Sequence, residues 1–208
     1  GAFALDADLQ IRGGPAMMTL DTAPALPSAE PVQLSSDDLS KLAPVLDAYL
    51  AVQRALAEDD HSAARSAAAE LVSRAELVPL AVAADEAAGS AWSAVQATLI
   101  LHGTVLARST DIQGARGAFE PLSAAAEELL VRFGNPLDAA VHVAFCPMAV
   151  DNTGGRWVQQ GETVDNAYFG AMMRRCGEVE VAVHPGTKLT PQATPAPSLG
   201  DAHAGHHH

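Results

Sequence analysis

The sequence predicts a mainly α protein: an antiparallel four-helix bundle with a small β-containing cap that carries its cysteines and methionines. Three observations predict it. Four stretches between residues 35 and 133 repeat apolar side chains at three- and four-residue spacing, as helices with one buried face do. The breaks between them are short, which favours antiparallel neighbours. After Gly134-Asn-Pro136 the text changes to alternation, the period of strands. Hydrophobic residues make up 49% of the 208 but aromatics only 4%, so alanine fills much of the core, which suits close helices.

The elements follow in order. Residues 1–18 hold Phe3, Leu5, Leu9 and Ile11 before Gly13-Gly14-Pro15, a strand or short helix that needs a partner elsewhere. Residues 19–34, with Pro24, Pro27 and Pro31 and no period, read as a linker. Ser35-Ser36-Asp37-Asp38 offers capping oxygens and first-turn acids. Leu39, Leu42, Leu46, Tyr49, Gln53 and Leu56 then stripe a helix of roughly 20 residues. Asp59-Asp60-His61-Ser62 interrupts it. Ala64, Ala68, Leu71 and Ala75 mark a second, shorter helix, closed by Pro79. A third runs from about Asp85 to Ser109 with Ala88, Ala91, Val95, Leu99, His102 and Leu106 on one face. After Thr110-Asp111 a fourth reaches Phe133 through Ala115, Phe119, Leu122 and Ala126. Residues 141–145 and 178–183 alternate and are β-branched, so they read as strands able to pair, while Asn166 to Arg175 reads as a short helix.

Twelve basic and 25 acidic side chains leave a net charge of −13. That argues against a nucleic-acid partner, which needs a basic surface to displace counterions. No apolar run approaches the roughly 18 residues that a bilayer span requires. The chain starts Gly1-Ala-Phe-Ala with no charged-then-apolar signal pattern, so compartment is not legible from a leader. At the other end a Pro/Thr/Ala-rich stretch from Pro185 leads to His203, His206, His207 and His208, open to reading as a native metal-scavenging tail or as a purification tag.

Chemistry concentrates in one stretch. Cys146, Met148, Met172, Met173 and Cys176 bring both cysteines and three of the five methionines within 31 residues. Thiolates and thioethers are soft donors that select Cu(I) and Ag(I) over hard cations. Cys146 and Met148 are two apart and share a face on a strand. Met172 or Met173 lies one helical turn before Cys176. His142, four before Cys146, shares its strand face and is a further candidate ligand. The competing reading is a disulfide between Cys146 and Cys176, as such pairs form in oxidising compartments. His102 reads as a core histidine, His61 as solvated, and His184 as a poorer ligand. Asp59-Asp60 and Glu127-Glu128 read as solvated charge, Met172-Met173 alternatively as core filler, and Trp157 with Phe169 as core. No phosphate loop, nucleophile elbow or His-Glu-x-x-His motif occurs, so the expectation is a protein that is not an enzyme.

Cys146-Pro-Met148-Ala149, Gly154-x-x-Trp157, Asn166-x-Tyr168-Phe169-Gly170-x-Met172 and Cys176-Gly177 resemble a domain of unknown function of bacterial periplasmic and cell-envelope proteins. That domain is often found at the C-terminus of heavy-metal efflux adaptors. Tyr49-Leu50, Leu56 before Asp59-Asp60, and Asp111-Ile112 with Arg116-x-x-Phe119-x-x-Leu122-Ser123 resemble its helical part, so the likeness spans about residues 36–184. Ala167 departs from it, standing where the family usually has proline. Independently, Gly1 to Met18 resembles the end of the membrane-proximal domain of a membrane fusion protein, the periplasmic adaptor of a Cus-type copper/silver RND efflux system.

The resemblance implies four segments: the end of the adaptor's membrane-proximal domain at 1–18, a linker at 19–34, a helical metal-binding domain at 35–184 and a disordered histidine-containing tail at 185–208. It implies a periplasmic location at the inner membrane. The partners implied are an RND inner-membrane pump, an outer-membrane channel, the metal ion and further copies of the adaptor in the full assembly. Cu(I) or Ag(I) would be held by Cys146, Cys176, Met148 and Met172 or Met173.

Overall fold

The computed structural model describes residues 32–79 and 86–190. The expected adaptor end at 1–18, most of the linker and the tail histidines lie outside them. The described chain is mainly helical with a small three-stranded antiparallel sheet: α1 (Ser36–Ser40), α2 (Ala43–Ala57), α3 (His61–Leu77), α4 (Glu86–Ala107), α5 (Ile112–Arg132), β1 (Val141–Cys146), β2 (Gly155–Gln160) and β3 (Glu178–Val183). Among the described residues no helix is long and apolar enough to cross a membrane.

The apolar stripes lie where the periodicity puts them. Ala64, Ala68, Leu71 and Ala75 of α3 are all buried, as are Ala115, Phe119, Leu122 and Ala126 of α5. Asp60 and Asp111 cap α3 and α5 through the backbone N–H groups of Ala63 and Gly114. The first stripe, however, belongs to two helices. Pro44 lies in the first turn of α2; it has no N–H to give the Ser40 carbonyl, and its ring would crowd that oxygen. The chain therefore stops α1 at Ser40 and starts again. His102 is half-buried rather than core. Gly103 takes the inner position, where a Cβ would lie 2.8 Å from Val72 Cγ2, so α3 and α4 approach closely there and a larger residue would push Val72 aside. His61 is also half-buried, its Nε2 lying 2.9 Å from Ser109 Oγ.

Helix α2 packs on α3 and α5, α3 on α4, and α4 on α5, while β2 rests against α2 and α5. One buried oxygen ties three of these elements together. Tyr49 stacks on Phe119 at 5.8 Å. Its hydroxyl accepts the Val158 N–H at 3.1 Å and lies 2.9 Å from Ser123 Oγ. Tyr49→Phe keeps the ring and strands both partners in the core. Such orphaned groups cost about 1–3 kcal/mol, so urea denaturation is expected to show a loss of that size with the fold retained.

In the sheet, β1 lies between β2 and β3 and is antiparallel to both. The pairing of β1 with β3 is the one the alternation predicts; β2 is a third strand that the alternation does not mark. The register to β3 skips Glu180 between Val181 and Val179, a one-residue bulge. Asn166 to Arg175 is not a helix beyond a single 3₁₀ turn at Gly170–Met172. The folded unit also extends past 35–184. Val32 and Leu189 are buried, and their N–H groups donate to the Arg132 and Leu130 carbonyls at the end of α5, at 3.2 and 3.1 Å.

Candidate functional site

The sheet and the segment after β2 bring the two cysteines together. Cys146, fully buried, ends β1 opposite Gly155 of β2. Cys176, half-buried, immediately precedes the turn into β3. Their sulfurs lie 3.1 Å apart. The contact between the sulfurs, followed by burial, pushes the Cys176 thiol above its usual range. A thiol must lose its proton to bind metal or to exchange, so either reaction here is favoured by rising pH.

Asn166 builds the loop that delivers Cys176. It is fully buried. Its side-chain oxygen accepts the N–H groups of Tyr168 and Phe169 at 2.9 and 3.2 Å. Its Nδ2 donates to the Cys176 carbonyl at 2.8 Å, and its own N–H donates to the Arg174 carbonyl at 2.9 Å. A single asparagine thus fastens both ends of the 166–176 loop, a task its short two-sided amide suits. On the other side, Gly155 admits Tyr168: a Cβ there would lie 3.0 Å from the ring and 2.9 Å from Ala149 Cβ. The Tyr168 ring packs edge-on against both Trp157 and Phe119.

The structure places the other expected ligands as follows. Met148 and Met173 line a neighbouring cavity of about 480 Å³ with Phe169, Tyr168, Val150 and Arg116, and neither cysteine is in that lining. Met172 is 78% exposed, so it is not core filler. Phe169 is half-buried and Trp157 fully buried. His142 does share a strand face with Cys146, but four residues at about 3.3 Å each put it roughly 13 Å along β1, too far for one ion to touch both. It is buried with Nδ1 unpartnered. His184 is exposed. Among the described residues no group of three or more His, Cys, Asp and Glu gathers as metal ligands would.

The cavity rim is conformationally unusual. Val150, Asp151 and Asn152 have φ of 51°, 54° and 65°, a left-handed turn in which a β-branched residue such as Val150 is strained. It directly follows the Cys146-Pro-Met148-Ala149 motif.

Two acids read as solvated charge have specific partners, Asp59 while still 40% exposed. Asp59 Oδ1 lies 2.5 Å from the buried Arg116 guanidinium, and its Oδ2 accepts the Ala171 N–H at 2.8 Å. The Ala171 N–H, then Arg116, hold its carboxyl below the usual carboxylate range. Glu127 is largely buried against Arg156, which lies 3.0 Å from it and 2.8 Å from Glu180. Burial raises the Glu127 carboxyl despite that partner. A carboxyl raised in the folded state favours folding below its unfolded range and opposes it as pH rises through the raised value. Glu127→Gln is therefore expected to be at least as stable as the parent at pH 8, with the advantage shrinking toward pH 4; melting temperatures across that range check it.

A family model described as "Protein of unknown function (DUF3347)" matches residues 45–136. That span runs from α2 past the end of α5 and stops before β1, so the sulfur pair lies outside it. No curated protein and no solved structure matches the chain. The chain is thus similar to an uncharacterised family over its helices alone.

Proposed function

We propose that this chain is the C-terminal part of a periplasmic adaptor in a heavy-metal efflux system, and that Cys146 and Cys176 bind Cu(I) or Ag(I) for hand-over toward an inner-membrane RND pump. The observation that carries the reading is the sulfur pair itself: two cysteine sulfurs from positions 30 residues apart, 3.1 Å from each other. Soft monovalent ions accept two sulfur donors, so two thiolates suffice. At metal–thiolate distances of about 2.3 Å, two thiolates on opposite sides of one ion lie about 4.6 Å apart, so the sulfurs must part by about 1.5 Å from 3.1 Å, and the half-buried Cys176 is the one with room to move. Met148 and Met173, on the adjoining cavity, are the nearest supply of thioether donors along the chain. In this reading helices α2 to α5 form an antiparallel four-helix bundle, supported by their contact order, and serve as a rigid mount. The adaptor assembles with copies of itself, the pump and an outer-membrane channel, and is not an enzyme. The resemblance of the motifs, not the helical family match, supports the efflux setting.

The test is an anaerobic Ag(I) titration of the reduced chain with His203, His206, His207 and His208 replaced by alanine. One tight ion per chain is expected. Cys146→Ser should weaken it at least about tenfold, equivalent to about 1.4 kcal/mol. Unchanged affinity would remove the metal site. The second reading is a disulfide-stapled structural module with no metal, favoured by a separation of 3.1 Å, shorter than two sulfurs sharing an ion. Mass measurement before and after thiol alkylation of freshly isolated protein separates the two, since a bridge leaves no thiol to alkylate.

A further inference from the structure

The two sulfurs differ in a way that neither reading uses. Cys146 is fully buried at the end of the central strand. Cys176 is half-buried, and its chain neighbours Arg175 and Gly177 are exposed. A reagent from solution therefore meets Cys176 first. Cys146 then lies 3.1 Å behind it, and a disulfide of about 2.05 Å needs an approach of only about 1 Å.

We propose that the pair is exchange-active toward small disulfides of the glutathione type, with Cys176 the entering sulfur and Cys146 the resolving one. The Cys176 thiolate attacks one sulfur of the small disulfide; a bond forms between them, the small disulfide breaks, and one small thiolate leaves. The Cys146 thiolate then attacks the Cys176 sulfur, closes the internal disulfide and expels the second small thiolate. The two protons lost by the cysteines end on the two released thiols. Two protein thiols are oxidised and one small disulfide is reduced. The pair thus becomes a reversible switch: the reduced form has two thiols to offer a soft ion, the oxidised form has none. The proposal rests on the sulfur pair and needs no metal, so it stands or falls separately from the efflux reading.

The test treats the reduced full chain, in chelator, with oxidised glutathione and follows intact mass after acid quenching. The wild type is expected to lose two hydrogens without accumulating an adduct. Cys146→Ala should accumulate one glutathione. Cys176→Ser should react at least about tenfold more slowly than Cys146→Ala, with circular dichroism checking that both variants are folded. Peptide-mapped alkylation of the wild type, which does not depend on the variants, should label Cys176 before Cys146. A wild type that stays reduced, or labelling of Cys146 first, would overturn the proposal. Exchange that fails while Ag(I) still binds refutes this inference alone; exchange that succeeds while Ag(I) does not bind refutes the metal reading alone.

Discussion

Gly177→Ala is expected to part the two sulfurs while leaving the helices standing. Gly177 has a φ of +118°, a conformation L side chains rarely adopt, and it links Cys176 to the first residue of β3. A Cβ there would drive into the Phe145 carbonyl oxygen and lie 3.2 Å from Cys146 Cβ. Neither neighbour can yield cheaply, because Phe145 pairs with both outer strands of the sheet. The chain at 176–178 must move instead, and Cys176 moves with it. Left-handed strain of about 1–3 kcal/mol and overpacking of similar size put the loss near 3 kcal/mol. Urea denaturation checks that figure. Disulfide formation with oxidised glutathione should slow at least about tenfold, and Ag(I) affinity should fall with it. If both stay at wild-type values, the close approach at Gly177 does not hold the sulfurs together.

Helices declare themselves locally, and here their stripes were legible almost residue by residue. Their buried faces repeat every three to four positions, and the capping aspartates lie just ahead of them. The sheet was legible in half. β1 and β3 alternate or run apolar, but β2 carries Arg156, Gln159 and Gln160, and its burial follows from what crosses it. Gln159 is fully buried because its amide serves Trp157, the Gly161 and Thr163 carbonyls and the Asp165 N–H. No period in the sequence carries that information.

The charges misled for a related reason. Asp59 and Glu127 carry no local sign of a partner, because Arg116 and Arg156 lie 57 and 29 residues away. Only the packing of α5 brings those partners in. For the site, the pairing of Cys146 with Cys176 was legible as a possibility, since either a bridge or a metal needs it. The sharing-out of the methionines was not. Helical spacing put Met172 or Met173 beside Cys176, but that segment is a loop pinned by Asn166, in which the 3₁₀ turn at Gly170–Met172 and a last turn, the Cys176 N–H donating to the Met173 carbonyl at 2.9 Å, are separate short pieces.

Asp59, Arg116 and Gly170 make the clasp on which that loop depends, and Gly170→Ala is expected to open it. Gly170 is left-handed, with φ of +59°. A Cβ would drive into both the Asp59 carboxylate and the Arg116 guanidinium. Asp59 is itself left-handed at φ +60°, an arrangement aspartate tolerates better than most residues. Arg116 has little freedom to retreat. It is buried in α5 and donates to the Ala167 carbonyl, the Leu56 carbonyl and Asp59, at 3.0, 3.0 and 2.5 Å. It thus joins the end of α2, the turn before α3 and the start of the cysteine loop. Backbone strain of about 1–2 kcal/mol adds to the cost of displacing the Asp59–Arg116 pair, held to about 1 kcal/mol because Asp59 is 40% exposed. A net loss of about 2–3 kcal/mol is expected, and Arg116→Met, which strands the buried Leu56 and Ala167 carbonyls, should lose at least as much. The mechanism predicts a coupling. In an Asp59→Gly background the colliding carboxylate is gone, so Gly170→Ala should cost at least about 1 kcal/mol less than in the wild type, a difference of the size double-mutant cycles find for residues in contact. Additive losses would mean that strain at Gly170 alone, and not the clasp, sets the cost. In that case Cys176 would keep its place without Arg116, and the Arg116→Met chain would still close its disulfide at the wild-type rate.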